Sequence, residues 1–262
     1  MKTIILCLAL ISIAMAQKPA PQKAQQPVLQ KDRQVLFDFR SEDQHPPAKV
    51  APATQRMVLS KVFRRYLTDA NRCSQQFDAA GAEDYLGAAR KAGQIVPSIA
   101  AVETGSFTAP GQSQTLYVIE VSECNASHAD NFGTKRVAIF SGQQLVADVD
   151  ADFASDVLKK TDLNSDGVDE LLMTTGDMAQ GTLTEMATLV SFQNGRRQVI
   201  HDFGAVVEDS CASGFPSSTS EASVIYISDV VPGEMPKITQ ENYSSSCRKT
   251  KRWKLVSRGK RE

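Results

Sequence analysis

The sequence predicts an α+β protein that is mainly β, with two N-terminal helices followed by an antiparallel meander of strands. Three observations predict it. Between Thr54 and Cys73 the residues Leu59, Val62, Phe63, Tyr66, Leu67 and Ala70 keep helical spacing. From Ser98 onward the chain breaks into short runs rich in β-branched and aromatic residues, separated by turn residues. Those runs succeed one another through hairpin signals, not through intervening helices, which argues against an alternating β-α-β sheet.

The 262-residue chain opens with MKTIILCLALISIAMA. Lys2 supplies a positive start, and Ile4 to Ile13 form an apolar run interrupted only by Ser12. That run is too short to cross a bilayer, which takes about 20 apolar residues. Ala14-Met15-Ala16 is a small-x-small cleavage site, so residues 1–16 read as a secretory signal and the mature chain is expected to begin at Gln17. The expected location is secreted or periplasmic. No later stretch is long and apolar enough to be read as a transmembrane segment.

Residues 17–52 read as a Pro/Gln-rich linker, within which the apolar patch Val35 to Phe39 is placed to dock on the body. Residues 53–247 read as a single globular domain, helical over 53–97 and β-rich over 98–247. The first helix is expected over Thr54 to Cys73 with Thr54 as N-cap, the second over Ala82 to Ala92, ending at Gly93. Strands are expected at Ile99–Thr108, Thr115–Val121, Arg136–Phe140, Gln144–Val149, Glu170–Thr175, Thr184–Phe192, Gln198–Phe203 and Ser223–Ile227. Asn194-Gly195 is the clearest hairpin signal, because both residues accept the positive φ of a type I′ turn. Ser141-Gly142 marks a second hairpin.

Residues 248–262 form a basic tail, with eight Lys and Arg against the single acid Glu262. The whole chain has a formal charge of −1, so the remainder is acidic. The tail reads as a solvated end, or alternatively as a final edge strand at Trp253 to Val256 whose lysines discourage aggregation. Its charge suits contact with an anionic surface. No nucleic acid partner is expected.

Cys73, Cys124, Cys211 and Cys247 follow the signal. An even count in an exported chain points to two disulfides, with three pairings open. None forms a Cys-x-x-Cys, so zinc and thioredoxin-like readings lose support.

The motif that carries chemistry runs from Asp162 to Glu170. Asp162, Asn164, Asp166 and Glu170 place side-chain oxygens at positions 1, 3, 5 and 9, Gly167 sits at the sharp turn, and Val168 offers its carbonyl. Calcium is a hard cation that takes about 6–8 oxygens, and alternate residues of a tight loop can supply most of them. An EF-hand would need a bidentate Glu at position 12, where this chain has Met173, and flanking helices, where it has an apolar strand. Asp-x-Asn-x-Asp-Gly-x-x-Glu before a strand resembles instead the calcium loops of the integrin-like FG-GAP/VCBS repeat family. The resemblance covers about Val157 to Thr175. It implies Ca2+ ligands at Asp162, Asn164, Asp166, Val168 (through its carbonyl) and Glu170, in a loop joining two strands of a propeller blade. The family repeats its motif and this chain carries it once. Some 150 β-rich residues are too few for a closed propeller at about 40–50 residues per blade. A propeller-blade-like or sandwich-like β domain is expected, not a full propeller.

The expected function is that of an exported calcium-binding protein, a non-enzymatic binding or interaction module for a protein or glycan partner. The alternative is a secreted hydrolase using residues around His128 and His201. Ser127, His128 and Asp130 lie in one polar stretch after a strand, and Asp209-Ser210-Cys211 follows His201-Asp202. No nucleophile elbow, glycine-rich phosphate loop or His-Glu-x-x-His accompanies them. Asn125-Ala126-Ser127 and Asn242-Tyr243-Ser244 match glycosylation acceptors.

Overall fold

The computed structural model describes residues 33–41, 48–74, 85–124, 134–152, 154–215, 217–247 and 251–260. They belong to one unit, Asp32–Glu262. Residues 1–16, which read as a signal, residues 17–32 and the stretch holding Ser127, His128 and Asp130 lie outside the described residues.

The chain enters as a strand, β1 (Gln34–Asp38), inside the segment assigned by composition to the linker. Leu36 and Phe39 are buried. That burial, with antiparallel pairing to a later strand, offsets the ordering entropy that the flanking Pro/Gln composition could not. The body therefore takes in residues upstream of 53.

Helix α1 spans Pro52–Val62. Pro52 fits the first turn, where a backbone N–H is not needed. Ala51 is the N-cap, without a side-chain hydrogen bond, so Thr54 does not cap. The helix also stops well short of Cys73. Phe63 turns extended at φ −117° and ψ 125° and is buried. Leu67 N–H then donates to the Ile95 carbonyl at 2.8 Å, so the chain follows the sheet edge instead of adding another helical turn. Asp69 draws the next residues into a short 3-10 turn, Ala70–Arg72, by accepting from Asn71 N–H. Helix α2 (Tyr85–Ala92) ends at Gly93 as expected, with φ +74°.

Four strands follow: β2 (Ile95–Gly105), β3 (Gln114–Glu123), β4 (Thr134–Ser141) and β5 (Gln144–Asp150). They form an antiparallel sheet in the order β2-β3-β4-β5. Seven more come next: β6 (Asp156–Thr161), β7 (Glu170–Ala179), β8 (Thr182–Ser191), β9 (Gln198–Asp209), β10 (Thr219–Ser228), β11 (Lys237–Ser246) and β12 (Lys254–Arg258). These lie in the order β12-β11-β10-β9-β8-β7-β6, with β1 added against β10. β9 pairs with β10 over Ser220–Ala222, and β1 continues along it over Val224–Ile227. The eight-stranded sheet curves into a half-barrel.

The meander is thus split into two sheets, and β6 and β11 were not anticipated. Lys159 and Lys160 in β6 and the polar run Thr239 to Ser246 in β11 lack the apolar alternation that marks a strand. The Asn194-Gly195 hairpin forms, with φ 58° and 70°, but the strands close at Ser191 and Gln198, so its loop is longer than two residues. Gly142 and Gln143 make the tight turn between β4 and β5.

Three apolar layers explain the architecture. Val58, Leu59 and Ala89 of the helices, with Phe63 just beyond α1, pack on Ile119, Val121, Ala138 and Phe140. The alternate residues Leu116, Val118, Val137 and Ile139 face the other way and meet Val157, Leu171, Met173 and Val190 of the large sheet. Leu172, Leu189, Phe203 and Ile225 fill the concave face of that sheet beneath Leu36 and Phe39. With both faces covered, β3 and β4 become near-continuous apolar runs.

Cys73 bonds to Cys124 and Cys211 to Cys247. The first ties the 3-10 turn to the end of β3; the second ties the β9–β10 connection to the end of β11. The basic tail is corrected in part. β12 is the edge strand, and Lys251, Arg258 and Lys260 pair with Asp209, Glu241 and Asp202. Carboxylates of the acidic body, not solvent alone, satisfy those charges.

Candidate functional site

The loop 162–169 joins β6 to β7, whose pairing closes at Thr161 and Glu170. Two apolar residues anchor it: Leu163 and Val168 are buried. The polar residues between them are folded on themselves. Asp162 accepts from Asp166 N–H at 3.1 Å and from Gly167 N–H at 2.9 Å, using one oxygen for each. Asn164 Oδ1 accepts from the same Asp166 N–H at 3.1 Å, and its amide donates to Asp166 Oδ2 at 3.1 Å. Asp166 Oδ1 accepts from Val168 N–H at 2.8 Å.

Gly167 has φ +84°, and a Cβ there would also come within 3.0 Å of Pro110. Glycine is required twice over. Glu170 is 1 % exposed and accepts from Leu163 N–H at 2.8 Å. Burial pushes its carboxyl up to about 7, and the charges of Asp166, Asp162 and Asp169 push the same way against the Leu163 amide.

Asp162, Asn164, Asp166, Val168 and Glu170 are therefore brought into one loop. Asp162, Asn164 and Asp166 are hydrogen-bonded together, and Glu170 closes the base through Leu163. Among the described residues no three His, Cys, Asp or Glu side chains are gathered as a metal-binding group. The loop's donors are two aspartates and an amide, with Glu170 engaged beneath. All are oxygens, which suits a hard cation, and each carboxylate oxygen held by an N–H keeps a second lone pair.

Residues outside the motif hold this loop, and they carried no signal as ligands. Asp169 exchanges two hydrogen bonds with Ser106, its Oδ2 accepting from Ser106 N–H and its own N–H donating to the Ser106 carbonyl, both at 2.8 Å. The β2–β3 connection that presents Ser106 and Pro110 is itself fixed by buried Gln114. Its Oε1 accepts from Phe107 and Thr108 N–H at 2.9 Å. Lys160 reaches the Thr104 carbonyl.

A second feature lies on the concave face of the large sheet. A cavity of about 520 Å³ is lined by the alternate pairs Asp156/Leu158, Leu183/Glu185 and Val207/Asp209, with Phe37, Phe39 and Trp253 above them. Spacing by two is the strand signal that marks one face. That signal was hidden because β6 and β1 were not read as strands of this sheet.

Of Ser127, His128, Asp130 and His201, only His201 lies among the described residues. Its ring lies 4.5 Å from that of Phe203, and burial pushes it below the usual imidazole range against the pull of Asp202. Ser210 Oγ is tied to Thr219 through both its carbonyl and its N–H. Cys124 and Cys211 are consumed in disulfides, which removes both as nucleophiles. The Asn242 acceptor is corrected: it is 3 % exposed, and its amide is held by Ser223, Ser257 and the Gly259 carbonyl.

No family model, curated protein or solved structure matches the chain. Among the described residues no helix is long and apolar enough to cross a membrane.

Proposed function

We propose that this is an exported calcium-binding protein, with the loop Asp162–Glu170 acting as an FG-GAP/VCBS-like site that fixes the β6–β7 turn of a non-enzymatic binding module. One observation carries the reading: a single short loop holds Asp162, Asp166, Asp169 and Glu170, with its side-chain oxygens oriented by backbone amides and the charge cost falling on Glu170. Calcium would be held by Asp162, Asn164, Asp166, Glu170 and the Val168 carbonyl. It would supply the positive charge that the loop's own residues lack. Its role there is structural. Export is supported by the two disulfides, which persist in oxidising compartments. A sandwich-like arrangement is supported by the apolar cluster shared between the two sheets. The partner is a protein or a glycan.

The test is a thermal melt of residues 17–262, oxidised, with excess calcium and with EDTA. A ligand that binds only the folded state adds about 2.7 kcal/mol at 100 times its dissociation constant. The midpoint should rise with calcium, and the rise should vanish in Asp162→Ala and Asp166→Ala. An unchanged midpoint at millimolar calcium would reduce the loop to a self-bonded turn.

A further inference from the structure

The cavity on the concave face is about 520 Å³, within the 300–1,000 Å³ range typical of small-molecule sites. Its apolar walls include Phe37, Phe39, Leu158 and Trp253. Walls of that kind select an apolar body, and the charged groups among them select the head.

The two cations at the cavity are already neutralised. Arg40 grips Asp38 through Nε and Nη2, at 2.9 and 2.7 Å. Lys251 donates to Asp209 at 2.9 Å. Glu185 differs from the other acids there: among the described residues its carboxylate makes no hydrogen bond or ion pair. Burial pushes its carboxyl up, and the charge of Asp156, also on the cavity wall, adds to that. The site thus carries an unmet demand for positive charge beside an aromatic and aliphatic wall. The Lys251 ammonium already lies 5.6 Å from the centre of the Trp253 ring, so the indole serves the site as apolar wall. An anionic ligand would meet Glu185 and Asp156 with like charge, and a neutral one would leave Glu185 unmatched.

We propose that this cavity binds a small organic cation with an apolar body, an alkyl or aryl amine, whose ammonium pairs with Glu185 while its chain lies against Phe37, Leu158 and Trp253. The proposal goes beyond the calcium reading and does not depend on the metal loop.

Trp253 is the only tryptophan in the chain, so its fluorescence reports the cavity directly. Residues 17–262 are titrated with n-octylamine, n-octanol and octanoate, once in calcium and once in EDTA. Octylamine should shift the emission saturably and bind more tightly than the other two. Glu185→Gln should weaken octylamine by about tenfold or more, as losing a charge-assisted hydrogen bond does, and leave octanol unchanged. Gly176→Leu gives a second variant. Its added Cβ would lie 3.7 Å from Glu185 Cγ, an ordinary contact, and the larger side chain should block all three probes.

Octanol or octanoate binding as well as octylamine would overturn the proposal. So would Glu185→Gln leaving octylamine unaffected, or no saturable change with any probe. Octylamine binding with no calcium effect on the melt would remove the metal reading and leave this one standing; the reverse pattern would do the opposite.

Discussion

Ser106 and Asp169 hold each other by two hydrogen bonds of 2.8 Å, and in doing so join the β2–β3 connection of the small sheet to the base of the acidic loop of the large one. Gly105 makes room for the pair: a Cβ there would fall 2.4 Å from Asp169 Oδ2. Gly105→Ala must therefore push the carboxylate off the Ser106 amide. The expected loss is about 1.5–3 kcal/mol, the range for losing a hydrogen bond to a charged group, and it should appear as a lower urea midpoint. Gly176→Ala, whose Cβ would meet only ordinary contacts, is the control and should change the midpoint little.

Gly167→Ala adds a Cβ at φ +84° and presses it on Pro110. A left-handed conformation costs a non-glycine residue about 1–2 kcal/mol, so stability should fall by at least that much. Calcium, where bound, should protect less in this variant than in the parent, as read from the melt with and without EDTA.

Glu170→Gln removes the carboxylate on which burial and three neighbouring acids act. In EDTA the variant should be at least as stable as the parent, because the buried charge is gone while the amide oxygen can still accept from Leu163 N–H. The calcium-induced rise should shrink. A variant that is less stable in EDTA and equally responsive to calcium would remove Glu170 from the ligand set.

Glu241 governs the acid limb of stability. Burial pushes its carboxyl up, but hydrogen bonds from Arg33, Tyr243 and Arg258 and the charge of Arg33 outweigh this and hold it at about 2, against an ordinary 4.5. A group whose pKa is depressed on folding contributes stability that is complete above the unfolded value and is lost as pH falls through the folded one. Urea unfolding should therefore show stability falling from about pH 4.5 to about pH 2. Glu241→Gln should flatten that limb while lowering stability near neutrality.

The Cys211–Cys247 bond closes a loop of 36 residues and Cys73–Cys124 one of 51. Chain-entropy reasoning gives each about 4 kcal/mol. Reduction should lower the melting midpoint sharply, and Cys211→Ser with Cys247→Ser should release the β11–β12 hairpin to hydrogen exchange before the small sheet.

The periodic parts of the chain were legible. The strands β3, β4 and β8 bury alternate or continuous apolar faces, so their composition alone marks them. Gly93 and Asn194-Gly195 marked their turns because their positive φ values suit few other residues. What escaped was decided by tertiary context. Phe63 satisfies helical spacing as well as sheet contact, and only the Ile95 carbonyl accepting from Leu67 shows which wins. β11 is polar because Gln240 and Asn242 bond with each other and with Ser223, a network no periodicity predicts. The acidic loop was visible as a motif, but its supports, Ser106, Gly105 and Gln114, lie more than forty residues earlier.

Arg33 and Arg258 both donate to the same oxygen of Glu241, at 3.0 and 3.1 Å, and Arg33 reaches it across 208 residues. Among the described residues β1 pairs with β10 alone, so a strand at the start of the unit must wait for one close to its end. This clasp cannot form until both ends of the unit are present. Contacts of such span are slow to find. Completion of the half-barrel is therefore a late event in folding, and until then the apolar face meant for Leu36 and Phe39 stands open to water.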